Sequence, residues 1–291
     1  MKARGRSRKA AVDSPRSIAP SQAIRTIYRE LSRVWGPQHW WPAETPFEVI
    51  VGAILTQNTS WTNVERALGN LRSANVLSVA AVRALPVSEL EQLVCPSGYF
   101  RQKAARLKDL VAFVEQRYGG SLEAMLARPT AELREELLAQ KGIGPETADS
   151  ILLYAGQHAI FVVDAYTRRV LERHEAVTGD ASYEDVREAV ERALQLEAWT
   201  LASVGEKSAT APLTHPPSAM SAAARPAMAQ VYNEMHGLLV QLGKHYCAKS
   251  NPKCEMCPLS AVLGPPRLAD LPVAKRAPAP RRGRKPAKRR L

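Results

Sequence analysis

The chain has 291 residues, four cysteines and a formal charge of +12, from 40 Lys and Arg against 28 Asp and Glu. Apolar residues make up 45%, enough to build a core, which excludes wholesale disorder. Four cysteines in this length exclude a secreted disulfide scaffold, and no stretch approaches the roughly 20 apolar residues of a membrane span.

The charge sits at the ends. Residues 1–16 carry a net +5 and residues 274–291 a net +9; removing both from +12 leaves −2 for residues 17–273. Such runs repel themselves and hold little apolar surface, so both tails are expected to be disordered. They serve as solubility tails or as non-specific contacts to phosphate. The basic start lacks the apolar stretch of a signal peptide. An Arg-rich transit peptide stays open on composition, but the matching tail at the other end favours a nucleic-acid arm and a cytoplasmic location.

Between the tails the pattern is helical. Ser21 follows Pro20 as a candidate N-cap, and Ile24, Ile27, Leu31 and Val34 recur on one helix face. Gly36, Pro37 and Pro42 break the pattern and leave Trp40-Trp41-Pro42 in a loop. Phe47 to Gln57 is apolar nearly all round, as a buried central helix would be. Helices are expected over Thr62–Leu71, Val87–Val94, Arg101–Tyr118, Leu122–Leu126, Ala131–Gln140, Pro145–Tyr154, Asp164–Arg173, Tyr183–Leu194 and Ala229–Leu242. Ala159–Val163 is a short apolar run that extends locally. Residues 204–226, rich in Pro, Ser and Ala, read as a mobile loop and passive insertion. The fold class is all-α.

Leu138 to Ala148 is the most informative segment: a helix ends, Gly142-Ile143-Gly144 turns, and Pro145 opens a new helix. Ile143 anchors the turn. The exposed N–H groups and the positive helix end make a phosphate cradle, or the turn is an ordinary helix connection. Asp164 lies 18 residues after Glu146, behind a buried apolar run and at a helix start. Alone it reads as an N-cap; it can also be a carboxylate at the floor of a cleft.

Four motifs in order then carry a resemblance: Ile54-Leu55-Thr56-Gln57-Asn58-Thr59, Lys141 to Ala148, Val163-Asp164-Ala165-Tyr166-Thr167-Arg168-Arg169, and a cysteine cluster near residue 250. Over residues 20–260 the chain resembles the helix-hairpin-helix DNA glycosylases of the endonuclease III superfamily. The resemblance implies two helical lobes with a cleft between them. One is a helical barrel of residues 43–155 with the hairpin; the other joins residues 20–42 to 156–260 and carries the cysteine-rich loop. Basic tails occupy 1–19 and 261–291.

By that resemblance Asp164 is the catalytic carboxylate. Breaking the base–sugar bond builds positive charge on the sugar, which a fixed carboxylate stabilises, and the same group can orient or deprotonate a water. Many family members place a nucleophilic Lys where this chain has Glu146; a carboxylate cannot form the imine that leads to strand cleavage. Lys141 lies five residues earlier and does not replace it. A monofunctional glycosylase follows, with AP-lyase activity absent or weak. Glu146 also suits the helix dipole in a first turn.

Gln57 matches the residue that family members insert where the flipped base was, although it also reads as a polar helix end. Lys141, Gly142, Ile143 and Gly144 would grip the strand. Trp40, Trp41, Pro42 and Trp61 resemble the branch that removes alkylated purines such as 3-methyladenine, whose cationic bases suit aromatic faces. Trp40 and Trp61 are the expected sandwich; core filling is the plain alternative for each.

Cys247-x6-Cys254-x2-Cys257 resembles the family's [4Fe–4S] loop, but Leu263 stands where the fourth Cys should fall. Cys95 and His245 are the replacement ligands considered, and a zinc site or a loop without metal stay open. The cluster would tie down a loop bearing Lys244, Lys249 and Lys253, placed to meet phosphate. The implied function is base-excision repair: a monomer, without membrane contact, hydrolysing the N-glycosidic bond of an alkylated purine in double-stranded damaged DNA. The alternatives are an endonuclease III-like glycosylase for oxidised pyrimidines and a non-catalytic DNA-binding protein of the same fold.

Overall fold

A computed structural model describes residues 18–195, 217–264 and 266. The charged runs expected to be disordered, 1–16 and 274–291, and residues 204–216 of the expected insertion lie outside the described residues, whereas residues 261–263, assigned above to the C-terminal tail, are helical. Among the described residues every regular element is helical.

The first helix, α1 (Pro20–Trp35), begins one residue before the expected cap. Pro20 takes the first helical position, where its missing N–H costs nothing, and Ser21 falls inside the first turn. Ile24, Ile27 and Leu31 are buried as their spacing requires. The next helix, α2 (Pro46–Leu55), is capped by Thr45, whose hydroxyl accepts from the Glu48 N–H at 3.2 Å, and all its residues from Phe47 to Leu55 are buried. Its apolar surface has no face left for water, so neighbours cover it all round: α3 (Trp61–Ser73), α6 (Phe100–Tyr118) and α9 (Pro145–Ser150), which continues into a π-helical turn, Ile151–Ala155. Between these run α4 (Val79–Ala84), α5 (Val87–Val94), α7 (Leu122–Leu126) and α8 (Thr130–Leu138).

The remaining helices form the second group. They are α10 (Ala165–Arg173), α11 (Tyr183–Leu194), α12 (Ala219–Ala222), α13 (Ala227–His245) and α14 (Ser260–Leu263). The first helix packs against α11, α13 and α14, and α10 lies along α13.

Ile160–Val163 forms no strand. Two of its backbone N–H groups are satisfied by side chains of α11, Phe161 donating to Glu191 Oε1 at 2.9 Å and Val163 to the Tyr183 hydroxyl at 3.3 Å. The end of the expected insertion is not passive. Met220 N–H donates to the Ala43 carbonyl at 3.0 Å, and the Ser218 hydroxyl donates to the Trp41 carbonyl at 3.2 Å, seating α12 on the tryptophan loop.

One ion-pair chain joins α8, α9 and α11. Arg134 donates to both oxygens of the wholly buried Asp149, at 2.7 and 3.1 Å, and to Glu184 Oε1 at 2.6 Å. Asp149 first, then Glu184, hold the guanidinium above its ordinary value; burial pushes Asp149 up against the pull of the same bond, and the two-pronged geometry keeps the pair charged. Asp149→Ala leaves a half-buried guanidinium without its partner and is expected to cost roughly 3 kcal/mol in a denaturant titration.

Candidate active site

Gly142 adopts φ +81°, the left-handed region, and a Cβ there would lie 2.2 Å from Arg106 Nε, so a side chain is excluded on both counts. Ile143 is buried and anchors the turn, while Lys141, Gly142 and Gly144 are exposed. Pro145 then starts α9 with Glu146 in its first turn. Gln57 reaches this turn from beyond the end of α2: its amide donates to the Gly142 carbonyl at 3.0 Å and to Thr147 Oγ1 at 2.9 Å, and Arg106 donates to its oxygen. The residue expected to fill a vacated base position is thus held against the hairpin in the free protein. Thr147 and Arg106, its partners, were not legible in the sequence.

Asp164 has both of its sequence readings at once. Oδ1 accepts from the Thr167 N–H at 2.7 Å and caps α10. Oδ2 faces His236 Nε2 at 3.6 Å, too far for a hydrogen bond but close for charge. His236 comes from α13 and is buried; its Nδ1 lies 2.6 Å from the hydroxyl of buried Tyr154. Burial lowers the His236 pKa, against the pull of Asp164, so the ring is neutral at neutral pH.

Glu146 keeps open surface although protein crowds its carboxyl. Burial first, and the Asp164 charge second, push its pKa from the ordinary 4.5 up to about 7. Asp164 is an N-cap, while Glu146 holds its proton near neutrality.

The tryptophans meet around Trp41 rather than as the expected Trp40–Trp61 pair. Trp41 contacts Trp61 edge to face at 5.0 Å and 88°, and Tyr154 at 5.0 Å and 40°. Gly52 of α2 permits this, since a Cβ there would come within 3.3 Å of the Trp41 ring. Trp40 is buried beside His236, 6.2 Å between ring centroids, and Pro42 is half-buried. Lys244 was expected to meet phosphate from the cysteine loop. It lies exposed in the last turn of α13, its Nζ 5.6 Å from the Trp40 ring centroid and its pKa lowered by burial against the pull of Asp164 and Glu65.

Cys247, Cys254 and Cys257 line one recess with His174, Tyr246 and Ser260. Among the described residues, no three His, Cys, Asp or Glu side chains converge as they would around a single ion. Cys95 lies in the turn Cys95–Ser97 between α5 and α6, and His245 borders a separate recess with Trp35, Gln38 and Gln241. Leu263 packs against the core from α14. Three thiols and an imidazole are a donor set for one zinc ion or for an iron–sulfur cluster, and that no three of them converge on one point favours the larger group.

A hairpin opening a helix that bears one acid, set against a second acid capping the next helix, within a fold of helices alone, is the arrangement of a helix-hairpin-helix DNA glycosylase. The model of the HhH-GPD superfamily of base excision DNA repair proteins matches residues 51–195. A putative DNA repair glycosylase of Methanocaldococcus jannaschii is 38% identical over 82% of this chain and 94% of its own length. The chain belongs to this superfamily. Endonuclease III of Thermotoga maritima is 25% identical, over 80% of the chain and 89% of the relative. A solved H. pylori 3-methyladenine DNA glycosylase bound to 1,N6-ethenoadenine superposes with a TM-score of 0.62 at 29% identity, covering 78% of this chain and 98% of that one. An endonuclease III–DNA complex shares the fold, with a TM-score of 0.61 at 21% identity.

The shifted Glu146 has a stability consequence. Its folded-state pKa is raised, so its contribution is full below about 4.5 and is lost as pH rises through about 7. The melting-temperature difference, Glu146→Gln minus wild type, should grow between those values and level off above them. A difference constant over that window would contradict the crowding described for this carboxyl.

Proposed function

We propose that this glycosylase is monofunctional and releases alkylated purines from double-stranded DNA, leaving an abasic site. The observation that carries the reading is the pairing of Asp164, whose Oδ2 is not used by the cap, with a carboxyl rather than an amine at Glu146. Asp164 stabilises the sugar as it turns cationic and orients the attacking water. Glu146 cannot form a Schiff base. Trp40, Trp41, Pro42, Trp61 and Tyr154 form the wall for a cationic base, and the ligand bound to the H. pylori enzyme, 1,N6-ethenoadenine, is a modified purine. Lys141 to Gly144 receive phosphate, Gln57 supports the duplex beside the extruded nucleotide, and the chain acts as a monomer.

In this reading residues 43–155 form the barrel lobe, and residues 20–42 with 156–260 the other. An iron–sulfur cluster on Cys247, Cys254 and Cys257 supplies no chemistry to base release; its loop holds the end of α10. No helix among the described residues is long and apolar enough to cross a membrane.

Single turnovers on duplexes bearing 3-methyladenine, thymine glycol or mismatched uracil test the proposal. Strand breaks are expected on the 3-methyladenine duplex, only after alkali, with no adduct on borohydride treatment. Breaks without alkali, or a trapped adduct, would overturn the monofunctional reading and point to Lys244, the amine beside Trp40. Preference for thymine glycol would overturn the purine reading.

A further inference from the structure

Resting on the cluster reading above, the loop poses a question its cysteines leave open: three thiolates are one ligand short of a cubane. The family position is Leu263, whose side chain offers no donor; Cys95 lies in the turn before α6, and His245 borders a neighbouring recess lined by Tyr246, Lys253 and Met256 but by none of the three cysteines. The recess lined by the three cysteines contains one further nitrogen donor, the imidazole of His174.

His174 is held there by the fold. It caps the C-terminal end of α10, its N–H donating to the Val170 carbonyl at 3.2 Å. The residue before it, Arg173, donates to Cys247 Sγ at 3.1 Å and to the carbonyls of Ala248 and Lys249 at 2.8 and 3.2 Å. Arg169, one turn earlier, donates to the carbonyls of Cys247 and Gly243 at 2.7 and 3.2 Å. Two guanidinium groups thus bind the start of the cysteine loop to the end of α10 and place positive charge beside thiolates that a cluster would require. The position of His174 relative to the loop is fixed by these bonds.

We infer that His174 is the fourth ligand of the cluster held by Cys247, Cys254 and Cys257. Imidazole replaces thiolate on iron in other biological clusters, where it raises the reduction potential, so the substitution is chemically ordinary. It also has a mechanical consequence. A helix of nine residues spans about 13 Å, with Asp164 at one end and His174 at the other. Metal ligation at the far end would secure the helix that the catalytic carboxylate caps.

The test is anaerobic reconstitution of the full chain with ferrous iron and sulfide, followed by iron analysis and pulsed EPR of the paramagnetic cluster. Wild type should hold about four irons per chain and show nitrogen coupling. His174→Cys should keep the iron, lose the nitrogen coupling and move to lower potential. His174→Ala should lose at least one iron, and adding Leu263→Cys to it should restore the full count. Cys254→Ala is the control for the cluster itself. If wild type holds four irons and Cys254→Ala loses them while His174→Ala keeps the wild-type count and spectrum, the cluster stands and the assignment of His174 falls. If wild type takes up no iron, the cluster reading and this assignment fall together.

Discussion

The structure depends on how one carboxylate divides its two oxygens. Oδ1 of Asp164 accepts the Thr167 N–H and starts α10, while Oδ2 is left facing His236. A cap fixes the orientation of its own side chain, so the bond that begins the helix also aims the oxygen that chemistry would use. The surroundings stiffen that arrangement. Tyr154 holds His236 from behind, and Arg169 and Arg173 tie the other end of α10 to the cysteine loop. On the facing side, the Asp149–Arg134–Glu184 chain holds α9, the helix that carries Glu146.

Glu146 decides which chemistry this frame can run. An amine at the start of α9 would attack the sugar; a crowded carboxyl with a pKa of about 7 cannot. Its partly protonated state near neutrality limits like-charge repulsion with Asp164, the second cause of its own shift. The aromatic side chains are already in contact in the free protein, with Trp41 touching both Trp61 and Tyr154.

Long periodic segments were legible in the sequence. Residues 87–94 and 183–194 have the expected bounds, since the apolar stripe and the flanking breakers agree there. The short helices at residues 79–84, 219–222 and 260–263 were missed because one turn and a half carries no period. The site was legible where it follows a motif: Asp164, Glu146, Gln57 and the tryptophans. Tyr154, His236 and Lys244 escaped because a lone aromatic, His or Lys in a helix reads as core or as surface. They join the site only when α13 folds back over the π-helical turn at residues 151–155. His174 escaped for the same reason, its recess being assembled from segments some 70–80 residues apart.

The most direct measurement is the single-turnover rate of base release by Asp164→Asn on a 3-methyladenine duplex. The substitution keeps an oxygen that can accept the Thr167 N–H, so the cap and the melting temperature should stay close to wild type, while the negative charge is removed. Base release should fall by at least about 100-fold with DNA affinity retained. A folded variant that excises at the wild-type rate would contradict the assignment of Asp164 as the group that stabilises the sugar cation.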